Sequence, residues 1–161
     1  MPRTTRAAKV ALAALALTTF LGGCTIRLIS EYDPETDQGV SALQSEVTAQ
    51  LAILEQLGAG PGGQPVSPAC KFENFKDSYT QFAAQAHVLK VRNEVRDKNE
   101  LTTTQLELLE KNLGEQLVAL HREADGQCMT RGTVIAARET LDQMFRAILK
   151  LEIAKQKYRG G

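Results

Sequence analysis

The sequence predicts an all-α fold, an antiparallel up-down-up-down four-helix bundle, from three observations. Apolar residues recur at three- and four-residue steps in four separate stretches. Capping residues, glycines and charged turns divide those stretches from one another. No alternating apolar-polar run of strand length appears. Amphipathic helices joined by short connections pack alternately up and down around a shared core.

The first helix is expected over about 34–57. Asp33-Pro34-Glu35 supplies an N-cap, a proline at the first helical position and an acid in the first turn. Ser41-x-x-Gln44 offers a second start as a capping box, with Gly39 softening the boundary. Val40, Leu43, Val47, Leu51, Leu54 and Leu57 form its apolar face. Gly58 to Pro65 holds four glycines and two prolines and cannot continue a helix.

Ser67-Pro68 repeats the cap-plus-proline signature and opens a second helix, expected over 68–98. Phe72, Phe75, Tyr79, Phe82, Ala86 and Leu89 lie on one stripe at heptad spacing, which reads as core rather than as a cofactor box. After the charged turn Arg96 to Glu100, Thr102-x-x-Gln105 caps a third helix over 103–125. Its stripe is Leu106, Leu109, Leu113, Leu117, Leu120 and Ala124, with Gly126 as a left-handed C-terminal cap. Thr130 or Thr133 caps the fourth, over 130–158, with Val134, Ala137, Leu141, Phe145, Ile148 and Leu151 inward. Lys150, Lys155, Lys157 and Arg159 suit the negative end of that helix's dipole.

The first 23 residues follow a different plan. Arg3, Arg6 and Lys9 form a basic segment, and Val10 to Leu21 is an Ala/Leu-rich run too short to span a bilayer. The run closes on Leu21-Gly22-Gly23-Cys24. This pattern resembles the signal peptide and lipobox of bacterial lipoproteins. The resemblance implies cleavage before Cys24 and acylation of that cysteine, palmitate included. The chain then divides into a signal peptide (1–23), an acylated tether (24–32) and a helical body (33–161). Thr25 stands where an Asp retains enterobacterial lipoproteins in the inner membrane, so the resemblance implies an outer-membrane anchor facing the periplasm. Two or three acyl chains hold a protein stably at a bilayer, where one holds it weakly. The Tyr32-Asp33 start and the helical body are also similar to small helical lipoproteins of proteobacteria. Lys157-Tyr158-Arg159 is similar to the tail of the Braun-type lipoprotein, but Gly160-Gly161 follows in place of its cross-linked terminal lysine.

Removing 23 residues from 161 leaves 138, enough for one domain with a substantial core. The whole chain has 19 Lys+Arg and 19 Asp+Glu; without Arg3, Arg6 and Lys9 the balance is 16 against 19, a net of −3. That balance argues against a nucleic-acid partner or a polybasic membrane patch. In the oxidising periplasm that the resemblance implies, the remaining pair Cys70 and Cys128 reads as a disulfide. Alternating topology places both at the end distant from the acyl anchor. Closing a loop of that length is worth about 4 kcal/mol in the chain-entropy model.

No catalytic, cofactor-binding or metal-ligating set emerges. His87 and His121 each follow a core position and are expected at the edge of the buried stripe, partly exposed. They fall ~10 Å apart along the axis, too far to share a metal. Glu107, Glu110, Glu115 and Glu123 lie on polar faces among cations. Nucleophile-elbow, phosphate-loop and zinc-protease motifs are absent from the sequence. The expectation is therefore a non-enzymatic, membrane-anchored module that meets an envelope protein partner. The contact would use a polar face, the 58–68 loop, or an apolar patch at Val91, Val95 and Val118. The alternative is a carrier holding a small ligand, such as a lipid, haem or metal, between its helices. A dimeric coiled coil would satisfy the same heptad stripes.

Overall fold

A computed structural model describes residues 29–60, Gly62 and residues 67–158. The expected signal peptide, Cys24 and most of the tether lie outside the described residues. The described chain is all-helical, with four long helices and no strand. They are α1 (Pro34–Leu57), α2 (Lys76–Glu94), α3 and α4 (Arg131–Tyr158). Helix α3 runs through three segments: Glu100–Lys111, a π-helical turn Asn112–Gln116, and Leu117–Arg122. No described helix is long and apolar enough to cross a membrane.

Two of the helix starts carry side-chain caps that the sequence marks. Asp33 caps α1, accepting from Glu35 N at 3.4 Å and from Thr36 Oγ1 at 2.7 Å, with Pro34 at the first position. Gly39 does not interrupt α1. A Cβ there would stand 2.6 Å from Leu89 Cδ2, the end of a flexible side chain on α2. Thr130 caps α4, its Oγ1 accepting from Thr133 N at 3.3 Å.

Two expected starts are corrected. Ser67-Pro68 caps only a single 3₁₀ turn, Pro68–Cys70, and a second turn, Phe72–Asn74, precedes α2. Lys71 is extended between them. The Cys70 carbonyl is thereby turned out of any helical ladder and used elsewhere. Helix α3 begins at Glu100, not at 103, because Thr102 is buried in a polar network instead of capping.

The four helices pack around one apolar core, α1 and α3 each lying against both α2 and α4. Val40, Leu43, Val47, Leu51 and Leu54 face it from α1, and Tyr79, Phe82, Ala86 and Leu89 from α2. Phe72 and Phe75 cover one end. Burying side chains of this size is worth about 1.5–3 kcal/mol each.

Two expected core positions are corrected as well. Leu120 is exposed and His121 is wholly buried. The π-helical turn carries one residue more than an α-turn, so the buried face of α3 steps from Leu113 to Leu117 to His121. On α4 the buried face continues past Ile148 to Glu152 and Lys155, leaving Leu151 only half-buried.

Candidate functional site

The residues that bring the chain into the helical body form a closed ring of polar contacts through all four helices. Asp33 accepts from Thr36 Oγ1 at 2.7 Å. Thr36 Oγ1 accepts in turn from Asn93 Nδ2 at 2.9 Å. Asn99 Nδ2 donates to the Asn93 side-chain oxygen. Lys155 Nζ donates to Asn99 Oδ1 and to Thr102 Oγ1, each at 2.7 Å, and forms a salt bridge with Glu152. Glu152 Oε2 closes the ring by accepting from the Asp33 main-chain N–H at 3.4 Å.

The side chains of Glu152 and Lys155 are 0% and 2% exposed. All three Nζ donors of Lys155 have acceptors, so the buried ammonium is fully satisfied. The incoming chain is attached to this ring. Ser30 Oγ donates to Asn99 Oδ1 at 2.6 Å, and Ser30 N donates to the Lys98 carbonyl at 2.9 Å. Arg96 Nη2 donates to the Glu31 carbonyl at 3.1 Å.

Asp33 is the electrostatic centre. Arg92 Nε and Nη2 grip its two carboxylate oxygens at 2.9 and 3.2 Å. Burial alone would push the carboxyl up. The hydrogen bonds from Arg92 and Thr36 and the charges of Arg96 and Arg92 outweigh it and bring the pKa down to about 2. The ring is a clamp: it holds the chain at residues 30–33 to the ends of α2 and α4 and the start of α3.

The opposite end carries a second buried cluster. The sulfurs of Cys70 and Cys128 lie at disulfide distance, with Cα atoms 5.2 Å apart. His121 Nε2 donates to the Cys70 carbonyl at 2.7 Å, which fixes the tautomer and leaves Nδ1 to accept from the Tyr79 hydroxyl at 2.7 Å. Phe72 and Phe75 pack on the same imidazole, with centroids at 5.8 and 5.5 Å. Arg122 lies over the outer face of Phe72 at 4.9 Å. Burial pushes His121 below its ordinary range, against the raising effect of its main-chain partners at Cys70 and Gln127. Burial pushes the Tyr79 phenol up.

His121 is thus a core residue, not the edge residue the sequence suggested. His87 is half-exposed and bonds Glu110 at 2.9 Å, with Lys90 on the other carboxylate oxygen at 2.7 Å. The two histidines are not brought together. Glu107, Glu115 and Glu123 are exposed. Among the described residues no group of three His, Cys, Asp or Glu could hold a metal ion. Of the three valines singled out as an apolar patch, Val91 and Val95 are exposed, together with Val88, on the face of α2 turned away from the core. Val118 packs partly against the core instead.

A groove of about 300 Å³ opens between α3 and α4, lined by Asn112, Leu117, Leu120, Ala137, Thr140 and Leu141 among others. The π-helical turn packs on α2, and the segment after it packs on α2 and the Phe72–Asn74 turn. π-helical turns recur at functional positions in other proteins.

No family model matches the chain, and no curated protein or solved structure matches it.

Proposed function

We propose that this chain is an acylated lipoprotein of the bacterial cell envelope, anchored through Cys24, that acts as a structural or protein-interaction module. The observation that carries the reading is Leu21-Gly22-Gly23-Cys24 at the end of a basic and then apolar leader. The clamp supports it. Residues 30–33 are fixed to the helical body six to nine residues after Cys24, so an anchor there positions the whole body and not a loose tail. The helices form an antiparallel up-down-up-down bundle. Support comes from the shared ends: Asp33, Asn93, Asn99 and Lys155 meet at one, and Cys70, His121 and Cys128 gather at the other. Attachment to the outer membrane, facing the periplasm, follows from Thr25. No catalytic step enters this reading; the lipid raises local concentration at a surface, and weak contacts gain from it. Cell fractionation with labelled palmitate tests it. The wild-type protein is expected in the membrane fraction with label, and Cys24→Ser in the soluble fraction without it. A Cys24→Ser protein that stays on the membrane with label would overturn the reading.

The groove between α3 and α4 favours a second reading, a carrier of a small apolar ligand. Its lining combines apolar side chains with four uncharged polar ones, Asn112, Gln116, Thr133 and Thr140. Organic extraction of the purified protein tests it: a stoichiometric small molecule would favour the carrier, and a clean extract would dismiss it.

A further inference from the structure

The end of the body that holds the clamp carries the two most exposed large apolar side chains among the described residues, Val95 and Tyr158, and a third, Leu101. Val95 is 82% exposed, Tyr158 77% and Leu101 56%. Val95 closes α2, Leu101 lies in the first turn of α3, and Tyr158 ends α4. Monomeric surfaces tolerate single exposed apolar residues, but three gathered at one end point to a surface that something covers.

We infer that this end rests on the bilayer itself, with Val95, Leu101 and Tyr158 entering the interfacial layer around the point where the tether leaves. The inference rests on acylation at Cys24. Its argument is the length of chain between the lipid and the clamp. Ser30 is bonded to Asn99 and to the Lys98 carbonyl, in the turn between Val95 and Leu101, and stands six residues after Cys24. Six residues reach at most about 20 Å when fully extended. Helix α1 has 24 residues and is therefore about 36 Å long. A tether that short keeps the clamp end at the membrane and holds the Cys70–Cys128 end away from it.

The composition of the tether agrees, since Ile26, Leu28 and Ile29 are apolar. Tyrosine favours the headgroup level, where its ring is sheltered and its hydroxyl stays wet. The charged residues around the patch carry both signs, Glu94, Asp97 and Glu100 against Arg96, Lys98 and Lys157. The contact is therefore apolar, needs no anionic lipid and is insensitive to salt. The bound surface is zwitterionic bilayer.

The protein contains no tryptophan, so single reporters are clean. Val95→Trp, Leu101→Trp and, at the far end, Glu73→Trp replace exposed residues and should leave the fold intact; far-UV circular dichroism checks this. Each full-length variant is expressed in a lipoprotein-processing host, extracted, weighed by mass spectrometry and reconstituted into phosphatidylcholine vesicles with lipid brominated near the glycerol end of its acyl chains. The Val95→Trp and Leu101→Trp proteins are expected to show blue-shifted emission that the brominated lipid quenches equally at low and high salt. The Glu73→Trp protein is expected to show neither change. Acylated protein with no quenching at positions 95 and 101 overturns the inference while leaving the anchor standing. A blue shift without quenching, together with a doubled native mass, assigns the patch to a second copy of the chain and overturns it too. An unacylated mass removes the anchor and the inference with it.

Discussion

His121 Nε2 donates to the main-chain carbonyl of Cys70 at 2.7 Å. The bond spans 51 residues and joins the end of α3 to the turn that carries one half of the cysteine pair. Burial favours the neutral imidazole, in which Nδ1 accepts from the Tyr79 hydroxyl. A second proton would reverse the Tyr79 hydrogen bond and place a charge inside a buried aromatic cage.

The His121 pKa is therefore expected below the ordinary value, with burial as the main cause. A group lowered in this way binds fewer protons folded than unfolded. Its stabilisation is complete above about pH 6.5 and is lost as pH falls below that value towards the folded pKa. NMR titration checks this: His121 should titrate below the usual histidine range. A midpoint at or above 6.5 would contradict the cage geometry. His121→Ala should cost about 3 kcal/mol, through the cavity and two unpaired polar groups.

The clamp predicts a separate acid limb. With the Asp33 pKa at about 2 against an ordinary 3.8, the Asp33 contribution is full above about pH 4 and disappears as pH falls to 2. Its size at neutral pH is roughly 2 kcal/mol. Asp33→Ala should remove that limb and cost about 3 kcal/mol, since the α1 cap is lost as well. Urea titrations of both proteins at pH 7 and pH 3 check this. An equal difference between them at both pH values would contradict it.

Glu152 and Lys155 test the ring as a unit. Lys155→Met leaves the Glu152 carboxylate buried without its cation and should cost about 3–5 kcal/mol. Adding Glu152→Gln removes the stranded charge, so the double variant should be more stable than Lys155→Met alone. Strictly additive losses in a double-mutant cycle would mean that the two side chains do not share the ring.

Two glycines should respond differently to the same substitution. A Cβ at Gly58 would meet the Met129 carbonyl oxygen at 2.8 Å and Arg131 N at 2.9 Å. Both are main-chain atoms, and Arg131 N already donates to the Gly58 carbonyl at 3.1 Å. Gly58→Ala should cost about 1–3 kcal/mol. At Gly39 the obstruction is the end of the Leu89 side chain, which can turn, and alanine favours the helix by about 1 kcal/mol. Gly39→Ala should be near neutral. Thermal melts of both variants decide the point, and equal losses would contradict it.

The α1 boundaries and most of the buried stripes were legible because apolar side chains mark their own face. The Cys70–Cys128 pair was read from the oxidising compartment that the lipobox implies, with the topology in agreement, and the structure puts the sulfurs at disulfide distance. The clamp was missed because its members are polar, and polar residues were assigned outward. The signal was nevertheless in the register: Asn93 follows Leu89 by four, Thr102 precedes Leu106 by four, and Glu152 and Lys155 continue from Ile148 by four and three. Polar residues at core positions on three helices, all at one end, mark a buried network. The exchange of Leu120 for His121 was not legible in the same way. It depends on a π-helical turn at Asn112–Gln116, and the spacing of Leu106, Leu109, Leu113 and Leu117 does not announce one.

The central claim is an acylated Cys24 holding a covalently closed helical body. Native mass spectrometry of protein extracted from membranes in mild detergent, with and without reductant, addresses it most directly. The account predicts the mass of Cys24–Gly161 plus acyl chains, rising by two hydrogens when Cys70 and Cys128 are reduced. An uncleaved, unacylated chain would contradict the anchor, and a mass unmoved by reductant would contradict the closed pair.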